Sequence, residues 1–182
     1  GNFILSYKSA KLCECYVGRQ TTDVAVAFNG KQAKFMFEDY TFITRLIEGH
    51  YPNYNSVIPT NYTDSVLVNC KELLSTIKRV SVFASSCSGL LEFNLTGMQL
   101  ELQGRDIDYS TSSMETLMVT KNGNDIRAGL KAVYMSKICS TFDNENINIY
   151  YRDACRAFVY KPETEDEKYD MLLLQMPMML ND

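Results

Sequence analysis

The chain has 182 residues, 46% of them apolar and 12% aromatic, with a formal net charge of −4 and a single histidine. That apolar content supports a substantial core and excludes a disordered chain. No apolar run nears the roughly 20 residues of a membrane span, and the acidic balance excludes nucleic-acid binding driven by net charge alone.

The opening GNFILSYKSA has no charged region followed by an apolar stretch. No signal peptide is therefore expected, and a cytoplasmic location is. The six cysteines, Cys13, Cys15, Cys70, Cys87, Cys139 and Cys155, form no CxxC pair. They are too scattered for a zinc site and read as reduced thiols, so neither metal nor cofactor is expected.

In chain order, residues 6–17 break the alternation of apolar residues and predict a helix, with Leu12, Cys13, Tyr16 and Val17 on one side. Residues 23–29 and 33–38 alternate around Asn29-Gly30, which predicts a hairpin. Residues 41–47 extend it. The composition turns polar between Ile58 and Asp64, and a domain boundary is expected near there.

Residues 65–69 predict a strand. A helix over 70–85 follows, with Leu73, Leu74, Ile77, Val80 and Ala84 at helical spacing and Asn69 as its N-cap. Residues 90–95, 98–104 and 111–119 predict strands, with turns at Thr96-Gly97 and Asn122-Gly123. A third helix is predicted over 130–142, carrying Leu130, Val133, Tyr134 and Ile138 inward. Residues 146–151, 156–161 and 171–175 close the chain as strands, with an acidic loop from Glu163. The order helix, hairpin, strand thus occurs at 6–47 and again at 130–176. Val24, Val26, Phe28 and Phe35 match Ile147, Ile149, Tyr151 and Phe158, each 123 positions on.

Charge follows the helices. Residues 6–19, 69–86 and 127–142 hold Lys8, Lys11, Arg19, Lys71, Lys78, Arg79, Arg127, Lys131 and Lys137 against only Glu14 and Glu72. The rest of the chain is correspondingly acidic. A basic surface shared by three helices would hold phosphates by charge and ignore base sequence.

Several segments together resemble the bacterial replicative sliding clamps, the β subunits of DNA polymerase III. They are Phe42-Ile-Thr-Arg-Leu-Ile-Glu-Gly-His-Tyr-Pro-Asn-Tyr with Val57-Ile-Pro59, Leu74 with Lys78-Arg-Val-Ser-Val-Phe-Ala84, and the terminal Met176-Pro-Met-Met-Leu180. The resemblance implies an α+β DNA clamp fold, with antiparallel sheets outside and helices packed on the inner face. Residues 1–54 would be the second half of the middle clamp domain, and residues 55–182 the third domain.

The resemblance further implies a non-catalytic processivity factor. It would be a ring-shaped homodimer in the full-length protein, nucleoid-associated and encircling duplex DNA. A pocket between the middle and third domains would dock peptides carrying glutamine, then leucine and an aromatic, from polymerase, clamp loader and repair proteins. The matching positions are Pro52, Ser56, Val57, Leu174, Gln175, Met176, Pro177, Met178, Met179 and Leu180. Val82 and Phe83 would meet a partner subunit. Lys8, Lys11, Arg19, Lys71, Lys78, Arg79, Arg127 and Lys131 would face DNA. The chain departs from the family at Tyr7, Ser56 and Met179, where members often carry arginine, and over 128–140.

Two other readings stay open. One is a clamp-like interaction module that uses the Met-rich end without tethering DNA. The other is an enzyme with Cys155 as a reactive thiol near Asp153 and Arg156; any triad would have to use His50.

Overall fold

The structure is a computed structural model describing residues 2–19, 22–164 and 170–180. The chain forms two compact units, Gly1–Asn53 and Tyr54–Asp182. No helix among the described residues is long and apolar enough to cross a membrane.

In the first unit, α1 (Tyr7–Val17) starts at Ser6, whose Oγ accepts the Ser9 amide at 3.2 Å. That satisfies one of the amide groups a helix start leaves unpaired. Strands β1 (Ala25–Phe28), β2 (Gln32–Met36) and β3 (Thr41–Arg45) form an antiparallel meander. The Asn29 side chain closes the first hairpin by accepting the amides of Lys31 and Gln32. Cys13 and Tyr16 of α1 pack with Phe35, Phe37, Tyr40 and Phe42. Leu12 and Val17, predicted to share that face, are exposed.

The second unit is built from two halves that exchange strands. The first runs β4 (Asp64–Asn69), α2 (Cys70–Val80), a 3-10 turn (Ser81–Phe83), β5 (Leu90–Thr96), β6 (Gln99–Asp106), β7 (Thr111–Met118) and β8 (Thr120–Asn122). The second runs β9 (Ile126–Lys131), α3 (Ala132–Thr141), β10 (Asn146–Tyr151), β11 (Phe158–Pro162) and β12 (Leu173–Gln175). One sheet has the order β12-β11-β10-β4-β8 and the other β7-β6-β5-β9, so the opening strand of each half pairs with the meander of the other.

The two helices pack on each other and bury one core with the sheets. Asn69 caps α2 as expected, its Oδ1 accepting the Glu72 amide at 3.0 Å. Glu72 in the first turn and Lys78 and Arg79 in the last complement the helix dipole.

Burial exposes a repeat inside this unit. Val66, Val68, Cys70, Leu73, Ile77 and Val80 are buried, and so are Ala128, Leu130, Ala132, Met135, Cys139 and Phe142, each 62 positions on. No pair is identical, so only the periodic burial carries the relation. The repeat expected between 6–47 and 130–176 also holds as element order: β1-β2-β3 and β10-β11-β12 are equivalent meanders. Their faces differ. Val26 and Phe28 are exposed, whereas Ile149 and Tyr151 are buried. Strand β10 has β4 on its second edge, and β1 pairs only with β2 among the described residues.

Three expectations need correction. The helix predicted over 70–85 ends at Val80 and tightens into the 3-10 turn. The helix predicted from 130 begins at Ala132, because residues up to Lys131 form β9. The run Ala128-Gly129-Leu130 is buried on both faces, which removes the alternation that marks a strand. Third, Val133 and Tyr134 point outward; Ala132, Met135, Ile138 and Cys139 make the buried face of α3. Of the acidic loop, Glu163 and Thr164 are exposed, and residues 165–168 lie outside the described residues.

Candidate functional site

The C-terminal segment is held by its backbone and displays its side chains. Strand β12 pairs with β11 and ends at Gln175, which is 3% exposed. The Gln175 Oε1 accepts the Tyr160 hydroxyl at 3.3 Å, and its Nε2 donates to the Lys131 carbonyl at 3.2 Å. Burial pushes the Tyr160 phenol far above its ordinary value, so it remains a donor. A buried amide satisfied at both ends fixes the end of β12 against the end of β9.

Three residues on, the Met178 amide donates to the Gly129 carbonyl at 2.8 Å. This bridge has a counterpart in the other half, where Thr120 of β8 pairs with Leu67 of β4. Leu67 and Gly129 are equivalent under the 62-residue repeat, so the tail does for β9 what β8 does for β4. Glycine is required by space: a Cβ there would lie 2.6 Å from the Met178 carbonyl oxygen and 3.2 Å from Leu180 Cδ2. Leu180 also lines a cleft of about 330 Å³ with Ser85, Leu90, Glu92, Arg105 and Ile107.

With the backbone fixed this way, Met176, Met178 and Met179 are 58%, 36% and 88% exposed. Leu174, Pro177 and Leu180 are half-buried. Flexible, polarizable thioethers on an ordered backbone suit an apolar peptide. Val57 follows a 3-10 turn (Tyr54–Ser56) and is exposed. Ser56 lines a cleft of about 250 Å³ with Pro59, Tyr62, Arg152 and Arg156. Pro52 belongs to the first unit and is exposed.

The sequence reading missed Tyr134. It stands half-exposed on the first turn of α3, with the Lys131 ammonium 5.8 Å from its ring centre. Lys131, assigned to DNA, is thus bound up with the tail through its carbonyl and with Tyr134 through its charge. An aromatic off the buried stripe of α3 was the available signal, hidden by the two-residue error in the helix start.

The basic set also divides. Lys8, Arg19, Lys71, Lys78 and Lys137 are exposed and make no ion pair among the described residues. Lys11 pairs with Glu14 at 2.8 Å, and this bond raises its pKa. Arg79 grips Glu115 of β7 through Nε at 2.8 Å and Nη2 at 2.6 Å. Arg127 is a correction: it lies on β9 rather than on a helix, and its Nε pairs with Glu92 of β5 at 2.5 Å.

Val82 and Phe83 sit in the exposed 3-10 turn packed against β6 and β7. Strand β7 is the last strand of its sheet, and its Met114 and Met118 are exposed. Around Cys155, Asp153 accepts the Cys155 amide and pairs with Arg156 at 3.2 Å. Both charged groups are therefore engaged in a turn. His50 belongs to the first unit.

Residues 55–178 match the family described as the DNA polymerase III beta subunit, C-terminal domain. The chain belongs to the DNA polymerase III beta subunit family. Among curated beta sliding clamps, that of Staphylococcus epidermidis is 24% identical over 173 residues, covering 94% of this chain and 46% of the relative. That of Staphylococcus aureus is 23% identical over 152 residues, covering 83% and 40%. The chain thus spans under half the length of these beta sliding clamps. Among solved structures, the sliding clamp of Bartonella birtlesii bound to griselimycin aligns with a TM-score of 0.89 at 20% identity, covering 99% of this chain and 48% of that one. The beta subunit of Thermotoga maritima aligns at 0.86 and 24% identity, covering 98% and 48%. These likenesses show that the α+β architecture is the clamp fold of the beta subunits.

Proposed function

We propose that this chain serves in a non-catalytic processivity clamp. In this reading it is part of a cytoplasmic, nucleoid-associated ring that encircles duplex DNA without sequence preference and docks peptides of polymerase, clamp-loader and repair proteins. The observation that carries the reading is the tail. A satisfied Gln175 and the Met178–Gly129 bridge hold the backbone while Met176, Met178 and Met179 stay exposed. That is the construction of a preformed apolar docking surface.

The unpaired cations of α1, α2 and α3 support the DNA-facing role through counterion release. Arg79 and Arg127 contribute less, because carboxylates already neutralise them. The apolar Val82 and Phe83 beside the open edge of β7 support closure with a second subunit. Residues 1–54 and 55–182 would then be the second half of a middle clamp domain and a complete third domain.

A second reading, an interaction module without DNA tethering, is favoured by α3 alone. Its outward face carries Val133, Tyr134 and a single cation, Lys137. The deciding experiment loads the full-length protein onto nicked circular DNA. A clamp is retained on circles and slides off after linearisation. Equal retention on both forms, or none on either, would leave only the module.

A further inference from the structure

The fold brings Cys70 and Cys139 together from 69 positions apart. The Cys70 thiol donates to the Cys139 carbonyl at 3.2 Å, which brings its sulfur against the Cys139 backbone. Both are buried, at 3% and 2% exposure. Nothing in the clamp reading uses them.

Their places in the fold are not equivalent. Cys70 opens α2 directly after the Asn69 cap, where the helix dipole favours a thiolate. Cys139 lies near the end of α3, where the helix dipole favours the protonated thiol. The hydrogen bond from Cys139 lowers the pKa of Cys70 below its usual 9.0 against the opposing effect of burial. That bond and burial push Cys139 well above it. Their places at opposite ends of two helices set Cys70 as nucleophile and Cys139 as proton-bearing partner.

We propose that Cys70 and Cys139 form a redox modification site, which hydrogen peroxide converts to a disulfide tying α2 to α3. The Cys70 thiolate attacks one peroxide oxygen. An S–O bond forms, the O–O bond breaks, and the departing hydroxide takes a proton to leave as water. The Cys139 sulfur then attacks the resulting sulfenic sulfur. The S–S bond forms, the S–O bond breaks, and hydroxide leaves with the Cys139 proton as a second water. Two thiols lose two electrons and two protons, and the peroxide takes up both. Burial means that the oxidant enters through local opening of the helix ends, so the reaction is slow but selective. The bond would join the two strand-exchanged halves through helices that the 62-residue repeat makes equivalent.

The test uses the chain with its three exposed cysteines replaced, C15S/C87S/C155S. The folded protein is exposed to hydrogen peroxide, alkylated and digested without reduction, and its peptides are weighed. The expected result is a Cys70–Cys139 peptide lighter by two hydrogens and cleaved by dithiothreitol. Unfolding beforehand should let Cys13 compete and abolish the selectivity. Recovery of Cys70 and Cys139 as alkylated thiols, or as sulfinic acids without a cross-link, overturns the site. C139S should halt the reaction at a Cys70 sulfenic acid that dimedone traps, whereas C70S should leave Cys139 unlabelled. Equal labelling in both overturns the assignment of the nucleophile. The cross-link measurement alters neither cysteine, so it decides the site even where a single variant does not fold.

Discussion

Gly129 and Met178 are joined by one backbone hydrogen bond of 2.8 Å, and the space for it exists because residue 129 has no side chain. In Gly129→Ala the new Cβ meets a backbone carbonyl oxygen at 2.6 Å and Leu90 Cδ1 at 2.8 Å, and the first of these cannot turn away. The expected outcome is release of the tail at a cost of about 1–3 kcal/mol, typical of overpacking. Hydrogen exchange at the Met178 amide should accelerate while the amides of β5 and β6 keep their protection. Unchanged protection at Met178 would mean that the tail is held by something other than this bridge.

Met178 is the least exposed of the three terminal methionines, and its backbone is the one that is pinned. Met178→Ala should weaken a glutamine-leucine-aromatic peptide by about 1–2 kcal/mol, the range for losing an apolar anchor contact. Isothermal calorimetry reads this directly. An affinity equal to that of the unaltered chain would take Met178 out of the docking surface.

Gly123 closes the corner between β8 and β9 at φ +113°, where a Cβ would fall 2.0 Å from the Asp64 Oδ1. That carboxylate is buried and accepts the amide and side chain of Asn124 and the Thr63 hydroxyl. Tyr151 completes the corner by donating to the Asn124 carbonyl at 2.7 Å. Burial, then the charges of Asp64 and Asp125, push its pKa up to about 12, so it donates throughout the neutral range. Gly123→Ala combines backbone strain with this clash and should cost about 2–3 kcal/mol in denaturant titrations. A midpoint matching the parent would show that Asp64 moves aside freely.

Glu115 carries an acid-side pH dependence. Its hydrogen bonds from Arg79 hold the carboxyl below its ordinary 4.5, against the opposing effect of burial. A folded-state pKa below the unfolded one gives a contribution that is complete above the unfolded value and lost as pH falls through the folded value. Glu115→Gln should therefore flatten the fall in melting temperature below about pH 4.5 and change little at neutral pH. Identical melting profiles for both proteins across that range would show that the pair adds nothing to stability.

Most of the elements were legible because they rest on local rules. The Asn29-Gly30 hairpin, the Asn69 cap and the alternating strands β5, β6 and β10 follow from turn chemistry and period-two patterning. Strand β9 was not legible. It is enclosed on both faces, by the core on one side and by the tail on the other, so Gly129 is buried where alternation would expose it. The error spread to α3, whose start and outward face shifted and concealed Tyr134. Lys8, Lys11, Lys71, Lys78 and Arg79 were correctly placed on helices, while Arg19 falls just past the end of α1. The pairing of Arg79 with Glu115 and of Arg127 with Glu92 was not legible, since each joins residues more than thirty positions apart.

By itself the sequence determined where helices and hairpins form and which segments carry cations, because capping, turn geometry and periodicity act within a few residues. The tertiary structure alone decided that the opening strand of each half pairs with the other half's meander. It also decided that the tail seats on a glycine of β9, and that two of the cations are already neutralised. Those outcomes depend on which distant groups fill the same space, and close packing of a shared core sets that for the whole unit at once.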